Sequence, residues 1–206
     1  MSSYCKRVHF NENVFNVYED VYEPADDTFL FAENLNVKEG EIVLDVGTGC
    51  GLLGILAAKK ASSVLAIDLN PYAIRCAKEN SALNSLRNKM SFVQASLFTA
   101  LNPNVKFNLI LFNAPYLPSE EYEVASWIGR SWAGGANGRE VIDGFICKVP
   151  AHLKPNGQVL LMQSTLSGVE ETIRGFSAQG LKAVVKAERN LPFFETLTLI
   201  EAQASV

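Results

Sequence analysis

The run Ile42-Val43-Leu44-Asp45-Val46-Gly47-Thr48-Gly49-Cys50-Gly51-Leu52 limits what this chain can fold into more than any other stretch. A short apolar segment passes into glycines spaced by single residues, and a helical pattern continues to about Lys60. A strand that enters a helix across so tight a turn needs backbone conformations that glycine adopts freely. That helix must cross back over the sheet, so the next strand runs parallel to the first. Val64-Leu65-Ala66-Ile67 supplies it; Asn70 then caps, and Pro71 opens, a helix reaching about Asn84.

The same alternation continues. Strands are expected at Met90–Gln94, Asn108–Phe112 and Gln158–Met162, with a helix over about Arg139–Leu153 ended by Lys154-Pro155-Asn156-Gly157. After a last helix around Gly168–Ala178, Leu181–Glu188 and Glu195–Ala202 alternate as two strands joined by Asn190-Leu191-Pro192-Phe193. The fold class is α/β: a mostly parallel sheet with helices on both faces and a C-terminal hairpin that brings in one antiparallel strand. Ahead of it, Arg7–Phe10 and Val14–Tyr18 flank Asn11-Glu12-Asn13, which predicts a small hairpin lying over the edge of the ligand site.

With 206 residues, 48% of them hydrophobic and 19% charged, and no linker or repeat, residues 1–206 are expected to form one domain, with 1–22 as an extension. Met1–Arg7 lead into mixed polar residues, and no apolar run nears the roughly 20 residues that cross a bilayer, so a soluble cytoplasmic chain is expected. Cys5, Cys50, Cys76 and Cys147 stand alone, and His9 and His152 are the only imidazoles, which argues against a metal site or disulfide framework. A net charge of −4 gives no basic field for nucleic acid and suits a basic partner better.

Two ligands fit the glycine turn. Gly49-Cys50-Gly51-Leu52-Leu53-Gly54 matches the G-x-G-x-x-G of dinucleotide sites, with Asp68 roughly 20 residues on. Asp45-x-Gly47-x-Gly49 matches instead an S-adenosylmethionine turn, where the acid and first glycines meet the amino-acid portion and the second-strand acid holds the ribose. Asp45 separates them, because a carboxylate there repels a pyrophosphate but attracts an ammonium and a sulfonium. Glycines that only pack helix on sheet account for Gly54 and leave Asp45 unexplained.

Asn113-Ala114-Pro115-Tyr116 follows Asn108–Phe112 directly. An amide or aromatic NH2 is a poor nucleophile because its lone pair is delocalised, and a site improves it by accepting its N–H hydrogens at fixed positions. The Asn113 side-chain oxygen and the Ala114 carbonyl are placed to do so, with Tyr116 against the flat face of the acceptor and Pro115 stiffening the loop. Taken alone, the four residues are equally an ordinary Pro-Tyr loop after a strand.

In order along the chain, Tyr22-Glu23-Pro24-Ala25-Asp26-Asp27-Thr28-Phe29-Leu30, the Asp45–Gly49 turn, Asp68, Asn113–Tyr116 and Trp132-Ala133-Gly134-Gly135-x-x-Gly138-Arg139-Glu140 resemble the HemK-type protein glutamine methyltransferases, in the short archaeal and eukaryotic branch without an N-terminal helical domain. The resemblance covers about Tyr22 to Met162. It implies a seven-stranded Rossmann-like methyltransferase that methylates the glutamine of the Gly-Gly-Gln loop of a class I release factor by direct displacement, with no separate general base. It also implies that Thr28 touches the methionine end of S-adenosylmethionine, Asp45, Gly47 and Gly49 its amino-acid portion, and Asp68 its ribose. Ser96 and Leu97 meet the adenine, and Asn113 and Ala114 hold the acceptor, with Pro115 and Tyr116 beside them. Two positions depart from the family: Ala114 replaces a proline, and Ser96 replaces an acidic residue. Members of this branch pair with a small zinc-binding activator, for which Met90–Val93 is the expected edge strand.

Trp132–Glu140 is expected to fold over the acceptor loop, with Arg139 or Trp127 touching the protein substrate; a plain bend before a helix is the alternative. Cys50 reads as a small turn residue, Cys76 and Cys147 as core, and His152 as serving a helix C-terminus. Lys59, Lys60 and the basic residues along Arg75–Lys89 read as solvated helix faces. Methylation of adenine N6 uses the same clamp but requires base extrusion and a basic surface. Lysine methylation and a non-catalytic cofactor-binding scaffold are further alternatives; intact Asn113 and Pro115 weigh against the scaffold.

Overall fold

A computed structural model describes the protein from residue 5 to residue 204; Met1–Tyr4, which belong to the expected extension, and residues 205 and 206 lie outside the described residues. The chain opens with a hairpin of β1 (Cys5–Phe10) and β2 (Asn13–Tyr18), followed by helix α1 (Asp26–Glu33). Then come β3 (Ile42–Val46), α2 (Leu52–Ala58), β4 (Ser63–Asp68), α3 (Pro71–Leu83), β5 (Met90–Gln94) and β6 (Phe107–Asn113). Short α4 (Trp127–Arg130) and α5 (Glu140–Lys148) lead to β7 (Leu153–Ser164), α6 (Val169–Ala178), β8 (Leu181–Asn190) and β9 (Thr196–Ala204).

Seven strands form one sheet in the order β5-β4-β3-β6-β7-β9-β8. The first five run parallel, while β9 lies antiparallel to both β7 and β8. Alternate residues of the central strands fill two cores. Val43, Leu109 and Leu111 pack with Phe31 of α1 and Ile55 of α2, whereas Leu44, Ile110 and Phe112 pack with Phe145 of α5 and Phe176 of α6. Strand order reverses between β3 and β6, and a crevice therefore opens outside their carboxyl ends.

Three boundaries differ from the sequence reading. Helix α5 stops at Lys148 instead of continuing to Leu153, because Pro150 lacks the N–H an α-helix needs; Val149–His152 form a 3-10 turn. Lys154–Gly157 end no helix: they bulge within β7, where the register passes from Phe107↔Leu153 to Leu109↔Gln158 and Asn156 takes a φ of 60°. Helix α2 ends at Ala58, two residues early.

The N-terminal hairpin forms as expected but lies on α3. Asn80 and Asn84 treat β2 as a neighbouring strand would. Asn84 accepts the Val14 N–H (3.2 Å) and donates to its carbonyl (2.8 Å), and Asn80 does the same for Asn16 at 2.9 and 2.8 Å. The amides thus satisfy an edge that would otherwise expose backbone groups. Only the segment after the hairpin, at Val21, Tyr22 and Pro24, reaches the crevice.

Candidate active site

The crevice is partly open to solvent and is walled by the start of α1, the glycine turn and the ends of β4, β5 and β6. Thr28, Gly47, Gly49, Asp68, Ser96, Leu97, Asn113 and Pro115 line it, so the structure brings together most residues selected from the sequence. Asp45, Ala114 and Tyr116 do not line it.

The glycine turn shows why. Gly47 and Gly49 hold φ of 65° and 55°, and a Cβ added at Gly49 would meet nothing, so that backbone stands open to a ligand. Asp45 points the other way. It is 1% exposed, and its Oδ2 accepts the Thr48 hydroxyl (2.6 Å) and the Gly54 N–H (3.0 Å). Burial raises its pKa to about 7. Asp45 therefore braces the turn from behind, a correction to the expectation that it meets the ligand's ammonium. Gly54 is required because a Cβ there would stand 2.7 Å from that carboxylate oxygen.

Asp68, at the end of β4, does face the crevice. Its two oxygens accept the N–H groups of Gly49 (2.9 Å) and Asn70 (2.8 Å), which fixes the carboxylate and leaves lone pairs on both oxygens. Burial raises its pKa.

Asn113 ends β6, and its side-chain nitrogen donates to Asp27 Oδ2 (3.1 Å) and Thr28 Oγ1 (3.2 Å). Both amide hydrogens are thereby used. A carboxylate only accepts, so it settles which way the amide is turned. The Oδ1 of Asn113 is left buried without a partner, one of two such side-chain atoms among the described residues. A buried acceptor of this kind carries a desolvation cost that a bound N–H removes.

Asp27 is the residue the sequence reading missed. Its Oδ1 accepts the Thr28 N–H (2.5 Å), the Thr28 hydroxyl (3.1 Å) and the Tyr22 hydroxyl (3.0 Å). Tyr116 approaches its Oδ2 at 3.5 Å, which turns the Tyr116 hydroxyl toward α1. Burial first, and the Asp27 charge second, push the pKa of both tyrosines upward, keeping them neutral donors. Ala114 is buried and donates its N–H to the Met162 carbonyl at 3.3 Å.

The Trp132–Glu140 segment folds onto the acceptor loop as expected. Leu117 donates to the Trp132 carbonyl (2.9 Å), Gly134 to that of Leu117 (2.8 Å), and Ser119 to that of Gly135 (3.0 Å). Gly138 must lack a side chain, since a Cβ would stand 2.3 Å from the Tyr116 carbonyl oxygen. Arg139 is committed elsewhere: it donates to the carbonyls of Ser167 and Gly168 and to Thr172, and pairs with Asp143 at 2.6 Å. It tethers α6 and is not available to a substrate. Trp127 does line the crevice, with the Arg130 guanidinium 4.9 Å from its ring.

Two minor expectations also change. His152 is buried, stacks on Phe98 at 4.9 Å and binds the Val105 carbonyl at 2.9 Å, so it serves a loop instead of a helix end. Cys147 is exposed instead of lying in the core, while Cys76 is buried as expected and Cys50 is buried in the turn.

The family model for ribosomal protein L11 methyltransferase (PrmA) matches residues 27–114, the stretch from Asp27 through the glycine turn to the clamp. The "Putative protein N5-glutamine methyltransferase MJ0928" of Methanocaldococcus jannaschii is 40% identical, over 89% of this chain and 92% of that protein. Methyltransferase HEMK2 of Homo sapiens is 33% identical, over 89% of this chain and 90% of its own length. This chain belongs to the HemK-type protein glutamine methyltransferases. Among solved structures of like fold, the E. cuniculi Mtq2–Trm112 complex, described as responsible for methylating the eRF1 translation termination factor, matches with a TM-score of 0.72 and 25% identity over 90% of this chain and 99% of that one. The M. jannaschii tRNA m1G37 methyltransferase reaches 0.73 at 19% identity over 100% of this chain and 58% of its own, a likeness of fold alone. A shared fold does not by itself separate a protein acceptor from a nucleic-acid one.

Proposed function

We propose that this chain methylates the side-chain nitrogen of a protein glutamine with S-adenosylmethionine as donor, and that the acceptor is the Gly-Gly-Gln glutamine of a translation termination factor. One observation carries the reading: Asn113 Oδ1, buried and unpartnered, at an amide whose nitrogen is already committed to Asp27 and Thr28. It is an acceptor waiting for an N–H. The protein acceptor is favoured by relatives named for glutamine methylation and by the net charge of −4, which does not attract nucleic acid.

The crevice fits the donor. Asp68 retains a lone pair on each oxygen for two ribose hydroxyls, the backbone lining at Gly47 and the open backbone at Gly49 would receive the amino-acid portion, and Ser96 and Leu97, on the wall, would meet the adenine. Asp68 and Arg130 are the only charged side chains on its walls among the described residues. When bound, S-adenosylmethionine supplies an electrophilic methyl group on a sulfonium that departs as a neutral thioether. The chain's own task is to position the acceptor. Asn113 Oδ1 accepts one N–H of the glutamine amide; the Ala114 carbonyl, expected to take the other, belongs to a residue that does not line the crevice. Pro115 holds the loop, and Asp27 keeps Asn113 from turning. The proton leaves to solvent as the bond forms, without a dedicated base.

A small activator subunit on the outer edge of β5 belongs to the same proposal. The Mtq2 relative is solved together with Trm112, and β5 is the first strand of the sheet. Its apolar side chains are less available than the sequence implies. Met90 is 3% exposed within the core, and Phe92 is half-covered by Arg87, whose guanidinium lies 5.3 Å from the ring. The partner would meet backbone groups together with the exposed part of Phe92.

The test is methyl transfer from labelled S-adenosylmethionine to a purified termination factor by the wild-type chain and Asn113→Ala. Loss of turnover by roughly 10²–10³-fold, as when an oxyanion-hole donor is removed, with donor affinity retained, is expected. Wild-type turnover in the variant would dismiss the clamp.

A further inference from the structure

The tip of the β8–β9 hairpin holds Phe193 and Phe194 at 97% and 102% exposure, with φ of 63° and 66°. Left-handed backbone crowds the Cβ of a bulky residue, and glycine or asparagine would occupy these positions with less strain. The sequence uses neither and places two phenyl rings in water. The tip is also held firmly. Leu191 donates to the Glu195 carbonyl (2.8 Å) across its base, Thr196 to Thr165 Oγ1 (3.1 Å), and Arg189 to Glu33 (2.7 Å) and the Asp26 carbonyl (3.3 Å). Strain maintained in a fixed loop is a feature of functional surfaces.

Sheet register places this tip beside the clamp. Asn113 pairs with Met162, Met162 with Leu199, and Ser164 with Leu197, so residues 191–195 project past the carboxyl end of β7 on the rim where Asn113 opens. Two strand spacings, roughly 10 Å, separate β6 from β9. Arg189 binds the residue before Asp27, and Glu195 is near enough to Tyr116 for its charge to act on that hydroxyl. Leu166, 52% exposed just after β7, extends the apolar surface.

We propose that Phe193 and Phe194 dock the acceptor protein, taking an apolar side chain of the polypeptide whose glutamine enters the clamp. This rests on the protein-glutamine reading above. On the protein-glutamine reading the acceptor enters the crevice as a side chain, so the body of the protein lies across the rim, where the exposed rings of Phe193 and Phe194 project. Aromatic residues excluded from water on binding are the anchors such contacts favour.

The experiment compares steady-state methylation of an eRF1-type termination factor by the wild-type chain, by Phe193→Asn combined with Phe194→Gly, and by Phe193→Tyr combined with Phe194→Tyr. Asparagine and glycine accept positive φ, so melting temperature holds or rises in the first variant. Its KM for the factor rises at least tenfold, with kcat and S-adenosylmethionine affinity within twofold, while the tyrosine variant keeps the wild-type KM. An unchanged KM in the first variant overturns the proposal, as does sedimentation showing that only self-association has been lost. If the wild-type chain leaves the factor unlabelled, the acceptor reading fails and this inference falls with it; wild-type labelling with indifferent variants refutes the docking site alone.

Discussion

Asn113 Nδ2 lies 3.1 Å from Oδ2 of Asp27, 86 positions earlier in the chain. The pair joins the start of α1 to the end of β6 and fixes the direction in which the Asn113 amide presents its oxygen. Replacing the carboxylate by an amide, in Asp27→Asn, lets Asn113 sit either way round. We expect kcat to fall about 10–100-fold, the scale of one misplaced positioning group, with S-adenosylmethionine affinity changed by much less. Steady-state kinetics with calorimetry would check this, and a kcat within twofold of wild type would remove Asp27 from the account.

Asp45 predicts a pH dependence. Its folded pKa of about 7 lies above the usual carboxylate range, so between roughly pH 4 and 7 the folded state holds a proton that the unfolded chain has released. This contribution is fully present at the acid end and is lost as pH rises through 7; Asp68, also raised, acts in the same direction. Asp45→Asn can still accept from Thr48 and Gly54. It should flatten the fall in stability across that window and leave donor affinity within about threefold. Denaturant melts of both proteins from pH 4 to 8 decide it, and parallel slopes would mean that Asp45 is not the titrating group.

The sequence announced the clamp, the glycine turn and the strand order because each is a local pattern: an Asn-x-Pro-Tyr after an apolar run, glycines at positive φ, and strands separated by helices. What it concealed depends on pairing across distance. Asp27 stands in the Tyr22–Leu30 stretch with no role legible in the sequence, and only the fold shows it meeting Asn113 and Tyr116. Arg139 looked free until β7 and α6 brought the Ser167 and Gly168 carbonyls to it. Asp45 has the identity a ligand contact needs, yet strand register directs its side chain into the turn. Lys154–Gly157 has turn composition, and a bulge absorbs it without breaking the strand.

Asp68→Ala should weaken S-adenosylmethionine binding by on the order of 2–3 kcal/mol, as for charge-assisted hydrogen bonds to two hydroxyls. Calorimetry reads this directly. Unchanged affinity, or tight binding of NAD by the wild-type chain, would overturn the donor assignment.

On the edge strand, two neighbouring substitutions should part company. Phe92→Asp is expected to weaken a complex with a co-expressed activator and to leave the isolated chain folded. Met90→Lys places a charge in the core and should cost several kcal/mol of stability, about the scale of an unpaired buried charge. Pull-down and thermal melts separate the two, and an unaffected complex with Phe92→Asp would move the partner off this edge.

Mass spectrometry of the termination factor after incubation with the chain and S-adenosylmethionine tests the central claim most directly. The account predicts one added methyl group on the side-chain nitrogen of the Gly-Gly-Gln glutamine, absent with Asn113→Ala. Methyl groups found on lysine or on nucleic acid, with that glutamine unmodified, would contradict it.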